Sequence, residues 1–76
     1  MPVVAKFYGI VIRLMCLQRF GARLHACCGD TEMILDLASL RVIDTNVSET
    51  VKAIVLAWAK AHQRDLMAGI WRPVRA

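Results

Sequence analysis

The chain has 76 residues, of which 58% are hydrophobic, and carries ten Lys and Arg against six Asp and Glu. A domain of this size buries only about 60% of the surface of its unfolded chain. Its apolar share exceeds the usual 45–50% or so, so apolar side chains are left outside the core and predict a protein partner or a homodimer. The net charge of +4 is spread along the chain without a basic run, which permits contact with phosphates but does not indicate it.

No apolar stretch reaches the roughly 20 residues that span a bilayer, and no cleavable targeting segment is apparent. The three cysteines, Cys16, Cys27 and Cys28, make a poor disulfide framework because their number is odd and two are adjacent. His25 lies near two of them, but small buried cysteines in a strand explain this pattern more simply than a metal site. We therefore expect a cytoplasmic protein, in a reducing compartment, with no metal, no cofactor and no membrane partner.

The first half of the chain predicts β-strands. Val3 to Leu17 is rich in β-branched and aromatic residues, and Gly9 within it predicts a bulge or a close backbone approach. A second strand is predicted from Arg23 to Cys28. Gly29-Asp30 then has the glycine-first pattern of a type II′ turn, and Glu32 to Leu37 forms the returning strand.

The alternation of apolar and polar residues predicts the register of this hairpin. A two-residue loop sets apolar residues opposite each other on one face, in the pairs Leu24–Leu35 and Ala26–Met33, followed by Cys28–Thr31. The opposite face then carries the pairs Arg23–Asp36, His25–Ile34 and Cys27–Glu32. A loop longer by one residue would mix the two faces, so the side-chain period of two favours the shorter loop.

The second half predicts one more short strand and a helix. The strand runs from Leu40 to Asp44, with Leu40 and Val42 in phase, and Asn46 is predicted to cap the helix in a capping box with Glu49. Gly69 is expected to weaken or end the helix. Its apolar stripe consists of Val47, Val51, Ile54, Val55, Trp58, His62, Leu66 and Ile70. The predicted fold is one α+β domain over residues 1–76, a small antiparallel sheet of three to four strands packed against one C-terminal helix.

Residues able to contact a partner cluster around the connector from Gln18 to His25. This connector contains two guanidinium groups, an aromatic ring and an imidazole. We predict a contact surface made of Arg19, Phe20, Arg23 and His25. Arg23 is explained equally well by a cross-strand pair with Asp36. His62 lies on the apolar stripe and is most simply a packed histidine. No glycine-rich phosphate loop or paired-carboxylate signature is present, so binding is expected rather than catalysis.

Four short segments in a fixed order carry a family resemblance. They are Phe7-Tyr8-Gly9-Ile10-Val11-Ile12-Arg13, His25-Ala26-x-x-Gly29-Asp30, Ile34-Leu35-Asp36-Leu37 and Trp58-Ala59-x-x-His62. Together they resemble the bacterial domain of unknown function 4160 family. The resemblance implies a small α+β protein, often encoded beside another small protein, of a family suspected to supply toxin partners in toxin–antitoxin modules.

The chain is a divergent, shortened match to the family: the family tryptophan near the helix end aligns with Ile70, and a histidine-rich motif is mostly absent. The family pattern Asp-His-x-Pro-Pro-His-x-His corresponds here to the segment from Gln18 to His25, in which only the final histidine is kept. Arginine occupies two of the positions that could carry acid–base or metal chemistry, Arg19 and Arg23. Arginine is not a base near neutral pH and offers a planar donor fork for carboxylate or phosphate, so the departure favours binding over turnover.

Three functions remain open at this point. The first is a small interaction protein, related to suspected toxin–antitoxin components, that acts by protein–protein contact. The second is a mobile-element inhibitor, such as an anti-CRISPR protein, that blocks a nucleic-acid-binding complex through Arg19 and Arg23. The third is a histidine-dependent hydrolase or nuclease toxin that uses His25 and His62.

Overall fold

The computed structural model describes residues 3–17, 19 and 21–69. It contains one antiparallel sheet and one helix, as the α+β prediction requires. The elements are β1 (Val3–Phe7), β2 (Ile10–Leu17), β3 (Gly21–Cys28), β4 (Thr31–Asp36), β5 (Val42–Thr45) and α1 (Glu49–Ala68). The strands lie in the order β1-β2-β3-β4-β5, so each pairs with its neighbours in sequence. The sheet has five strands rather than the three to four predicted.

The additional strand arises because the segment from Val3 to Leu17 is a hairpin and not a single strand. Phe7 pairs with Ile10 across a two-residue turn, and both turn residues have positive φ, 50° at Tyr8 and 74° at Gly9. Positive φ at both central positions is the geometry of a type I′ turn, whose twist matches that of the flanking strands. Gly9 therefore reverses the chain, and the predicted bulge at this position is wrong. The irregularity of this strand pair lies earlier, between Val3 and Ala5.

The second hairpin is confirmed in register. Leu24 pairs with Leu35 and Cys27 with Glu32, as do the four other predicted pairs. Gly29 has φ of 60°, as the first central position of a type II′ turn requires. β3 begins at Gly21, two residues before the predicted start, and Leu17 pairs with Gly21. Most of the predicted connector, up to His25, is therefore strand rather than loop.

The approach to the helix differs from the prediction in two details. β5 starts at Val42, because Leu40 has φ of 60° and belongs to the preceding turn. The helix cap is Ser48, whose Oγ accepts a hydrogen bond from the amide of Val51 at 3.2 Å. Asn46 is not the cap because its Oδ1 accepts from the amide of Glu32 at 2.7 Å, which extends the sheet beyond β5.

The hydrophobic core lies between α1 and one face of the sheet. Its fully buried side chains come mainly from the three central strands, with Val4 from β1, Leu37 after β4, and Val55, Ala59 and Leu66 from the helix. The buried face of α1 is thus centred nearer Ala59 than predicted. Gly69 ends the helix with φ of 72°, as expected. Ile70, assigned to the stripe, lies outside the described residues. No helix in the described part of the chain is long and apolar enough to cross a bilayer.

Candidate functional site on the open face of the sheet

The helix covers one face of the sheet, and we call the other the open face. Residues such as Ile12, Leu24 and Met33 are buried against the helix, so their neighbours in each strand point the other way. In the described strands the cross-strand partners place these side chains on the open face: Lys6, Val11, Arg13, Met15, Arg23, His25, Cys27, Glu32, Ile34, Asp36 and Asp44. All of them are half-buried or exposed.

Antiparallel pairing arranges these side chains in rows across the sheet. The central row reads Arg13, His25, Ile34 and Asp44 from β2 to β5. The row nearer the Gly29 turn reads Val11, Cys27 and Glu32, and the row on the other side reads Met15, Arg23 and Asp36. Each row therefore begins with an apolar or cationic side chain and ends with a carboxylate.

Charge divides the open face into two halves. The cations of the face, Lys6, Arg13 and Arg23, lie on β1, β2 and β3, whereas its carboxylates lie on β4 and β5 and are Glu32, Asp36 and Asp44. The apolar side chains of the face are Val11 and Met15 on β2 and Ile34 on β4, whereas Arg23 and Asp36 are direct cross-strand neighbours. The face is thus amphoteric, with a basic half and an acidic half, and we call Ile34, beside His25 in the central row, its apolar centre.

A cluster of three groups capable of binding a metal lies near the middle of this face. The Nε2 atom of His25 is 3.0 Å from Oε2 of Glu32 and 3.6 Å from Sγ of Cys27. The period of two along β3 sets His25 and Cys27 on the same side, and the register sets Glu32 directly opposite Cys27. The His25 side chain is 18% exposed and that of Glu32 57%, so the cluster is open to solvent on one side. We call it the His–Cys–Glu cluster.

Asp36 marks the end of the acidic half where β4 turns. Its Oδ2 accepts hydrogen bonds from the amide of Ser39 at 2.9 Å and from the Oγ of Ser39 at 2.8 Å. These two bonds lower the pKa of the Asp36 carboxyl, with a smaller contribution in the same direction from the Arg23 guanidinium and a partial opposing effect from desolvation. Asp36 therefore carries its negative charge near neutral pH.

The predicted contact residues do not form one loop. Arg19 lies exposed in the turn between β2 and β3, whereas Arg23 and His25 lie in β3 on the open face. Phe20 falls outside the described residues. Arg23 is opposite Asp36, which supports the structural explanation of Arg23 offered above.

Sequence reasoning missed two residues that define this surface and one exposed residue at a turn. Glu32 could have been identified, because the correctly predicted register already placed it across from Cys27. Asp44 could not, since a register shift between Ile34 and Leu35 decides which face it joins. Tyr8, 85% exposed at the tip of the first hairpin, was hidden by the wrong assignment of that segment.

The two histidines lie on opposite sides of the sheet. His62 is in α1, and its ring stacks on Trp58 with centroids 4.6 Å apart. Trp58 in turn packs near Phe7, at 6.4 Å between ring centroids, on the helix side. His25 is on the open face, so the two imidazoles do not share a site.

No family model, curated protein or solved structure matches this chain. The segments that carry the resemblance to the domain of unknown function 4160 family lie in the first hairpin, in the β3–β4 hairpin and in α1. Membership in that family stays a prediction.

Proposed function

We propose that this chain is a protein-interaction module whose contact surface is the open face, and that a second copy of the chain is its partner. The observation that carries the proposal is the division of the open face into a basic and an acidic half. A two-fold axis brings the same patch of two subunits together. A patch with one half of each sign is complementary to itself under such an axis.

The direction of the axis follows from the position of the charges. An axis parallel to the strands exchanges the β1 side of one copy with the β5 side of the other, which sets basic halves against acidic halves. An axis across the strands would set each half against its own sign and cost several kcal/mol. Sheets that pack face to face keep their strand directions within about 30°, which an axis along the strands allows.

The rows give the register of this dimer. With the axis between β3 and β4, each residue meets a residue of the same row in the second copy. Arg13 then faces Asp44 of the second copy, and Arg23 faces Asp36 of the second copy. In the same arrangement His25 lies against Ile34 of the second copy, beside the axis. The two Arg13–Asp44 pairs lie farther out, as is typical of interfaces with a polar rim.

The same charges favour a protein partner over nucleic acid. A surface that binds a phosphate backbone neutralises it with Lys and Arg. Glu32, Asp36 and Asp44 occupy half of the open face and would repel a phosphate chain. An inhibitor that occupies a nucleic-acid-binding groove through Arg19 and Arg23 is therefore less well supported than self-association.

The hydrolase hypothesis requires His25 and His62 in one active site, but the sheet separates these two side chains. It would have to rest on His25 alone. The resemblance to a family of suspected toxin–antitoxin components supports the general class of protein–protein contact, which is the class proposed here.

A charge-swap experiment tests the proposed dimer. We expect the wild-type chain to be dimeric in sedimentation equilibrium, and Arg13→Glu to weaken the dimer at least about tenfold because it brings two carboxylates together, a loss of about 1.4 kcal/mol. Asp44→Arg alone should weaken it similarly. The double variant Arg13→Glu/Asp44→Arg restores the pair with reversed sign and should recover the dimer.

The matched control is Lys60→Glu, which makes the same type of charge change on an exposed position of α1. It should leave the dimer unchanged. A wild-type chain that is still monomeric at about 100 μM, 100-fold above a micromolar dissociation constant, would contradict the proposal. Single variants that associate as tightly as the wild type would contradict it as well.

A further inference from the structure

We infer that the His–Cys–Glu cluster is a binding site for a divalent transition metal, with Zn²⁺ as the ion that fits it best. Three potential ligand atoms, Nε2 of His25, Sγ of Cys27 and one carboxylate oxygen of Glu32, all lie within 4.8 Å of one another. All three ligands belong to one chain, so the site does not need a second copy, but it lies on the open face that the proposed dimer would cover. Metal binding and self-association are therefore measured separately.

Two of the three ligand–ligand distances are close to those of a tetrahedral site, and the third, between Sγ of Cys27 and the Glu32 carboxylate, is at most 4.8 Å. With metal–ligand distances of about 2.0–2.3 Å, neighbouring corners of the tetrahedron lie about 3.4 Å apart for nitrogen and oxygen and about 3.6 Å for nitrogen and sulfur. The Sγ of Cys27 is already 3.6 Å from the Nε2 of His25. The 3.0 Å between His25 and Glu32 has to widen by about 0.4 Å, which the exposed Glu32 side chain can supply.

The hydrogen bonding of the cluster also points to a cation. A thiol and a carboxylate both approach the same ring nitrogen of His25. If Nε2 carries a proton, it donates to Glu32 and cannot accept from Cys27. If Nε2 is unprotonated, it accepts a hydrogen bond from the thiol and its lone pair repels the carboxylate. A metal ion at the centre replaces the proton and satisfies all three groups at once.

The ligand types select the metal. One thiolate, one imidazole and one carboxylate suit Zn²⁺ or a similar transition metal, whereas Ca²⁺ and Mg²⁺ prefer oxygen ligands. Three protein ligands leave a fourth tetrahedral position open, on the side of the open face, which is exposed to solvent in the single chain. Binding releases the thiol proton of Cys27 to solvent, so affinity should increase with pH.

Two features of the surroundings are expected to limit the affinity of the cluster for a metal ion. Arg13 of β2 is the cross-strand partner of His25 in β3, and its positive charge opposes a cation. The Nδ1 of His25 is buried with no hydrogen-bond partner among the described residues, although ligating histidines usually donate from this atom. The site should therefore bind more weakly than a structural zinc site with four ligands.

The test uses the full chain, freed of metal and kept reduced. Co²⁺ is titrated first, and we expect a thiolate-to-metal charge-transfer band that saturates at one equivalent per chain. Zn²⁺ should displace Co²⁺ and give one site per chain by calorimetry. Loss of an outer-shell partner typically costs about 10–100-fold in affinity, so removing a ligand in Cys27→Ser or Glu32→Gln should cost at least that much.

Cys28→Ser is the matched control. Cys28 is adjacent in sequence but on the helix side of the sheet, where it pairs with Ile10 and Thr31, so the variant should retain the charge-transfer band. Far-UV circular dichroism shows whether each variant is folded, and sedimentation with and without Zn²⁺ separates metal binding from self-association. A wild-type chain without the band, or a band lost equally in Cys28→Ser and Cys27→Ser folded proteins, overturns the assignment.

Discussion

Tyr8 has a backbone conformation that is unfavourable for a tyrosine and that its few contacts do not explain. It occupies the first central position of a type I′ turn with φ of 50°, where Asn followed by Gly is strongly preferred. Its side chain is 85% exposed, and its ring is edge-on to that of Phe7, at 5.8 Å between centroids. Little packing therefore offsets the strain of a non-glycine residue in this region, which is of order 1–2 kcal/mol.

A comparison of two substitutions isolates this strain. Tyr8→Asn and Tyr8→Ala both remove the contact with Phe7, but only Asn tolerates the left-handed conformation well. We expect Tyr8→Asn to be more stable than Tyr8→Ala by about 1 kcal/mol, measured as the free energy of unfolding in urea. Equal stabilities would mean that the hairpin relaxes out of the type I′ geometry when the tyrosine is removed.

At the scale of elements, α1 is tied to the sheet by a polar contact as well as by the core. The Nε2 of Gln63 donates hydrogen bonds to the carbonyl oxygens of Leu37 and Ala38, both at 2.8 Å. These carbonyls lie in the turn between β4 and β5, and Leu37 is fully buried. One amide side chain thus anchors the helix to the turn in which Asp36 binds Ser39.

Replacing this amide should loosen the turn. Gln63→Met keeps the length of the side chain but leaves two carbonyls without their donor, and we expect a loss of about 1–2 kcal/mol in the free energy of unfolding. Lys60→Met, on an exposed position one turn earlier in α1, makes a comparable apolar replacement and should change stability by less than about 0.5 kcal/mol. Similar losses in both variants would assign the effect to the helix surface rather than to the two hydrogen bonds.

The elements also show what local sequence could predict. The β3–β4 register was predictable because a one-residue slip would expose Leu24 and Met33. The helix cap was not, because Asn46 has a competing partner in Glu32 across the sheet and only the tertiary fold decides between them. The first hairpin was missed because Tyr8 is not a residue that predicts positive φ.

The candidate site, like the fold, could be predicted from the sequence only in part. His25 and Cys27 share a face by simple alternation, and the register adds Glu32, so the His–Cys–Glu cluster could be assembled from sequence alone. In an unbroken strand Asp44 would share the face of Val42, on the helix side. The bulge near Ile43 shifts it, so that Asp44 pairs with Ile34 on the open face. The acidic half of the open face therefore depends on a backbone irregularity that local sequence did not reveal.

At the scale of the whole molecule, the structure shows where the many apolar side chains lie. With 58% hydrophobic residues, the chain fills a core on the helix side and still places Val11, Met15 and Ile34 on the open face, where they are half-buried. Burying these side chains in a dimer couples association to folding, because two unfolded chains must meet before the interface forms. The thermal stability of such a protein depends on its concentration.

We expect the thermal midpoint to rise by about 4 °C for each tenfold increase in protein concentration, since tenfold is about 1.4 kcal/mol per dimer and the unfolding entropy of two 76-residue chains is about 0.3 kcal/mol/K. Ile34→Lys puts a charge at the apolar centre and should abolish this dependence while the far-UV spectrum stays folded. Met67→Lys, at a 53% exposed position of α1, should retain it. A wild-type midpoint that is constant over a hundredfold range of concentration would show that the open face is not buried by a second copy.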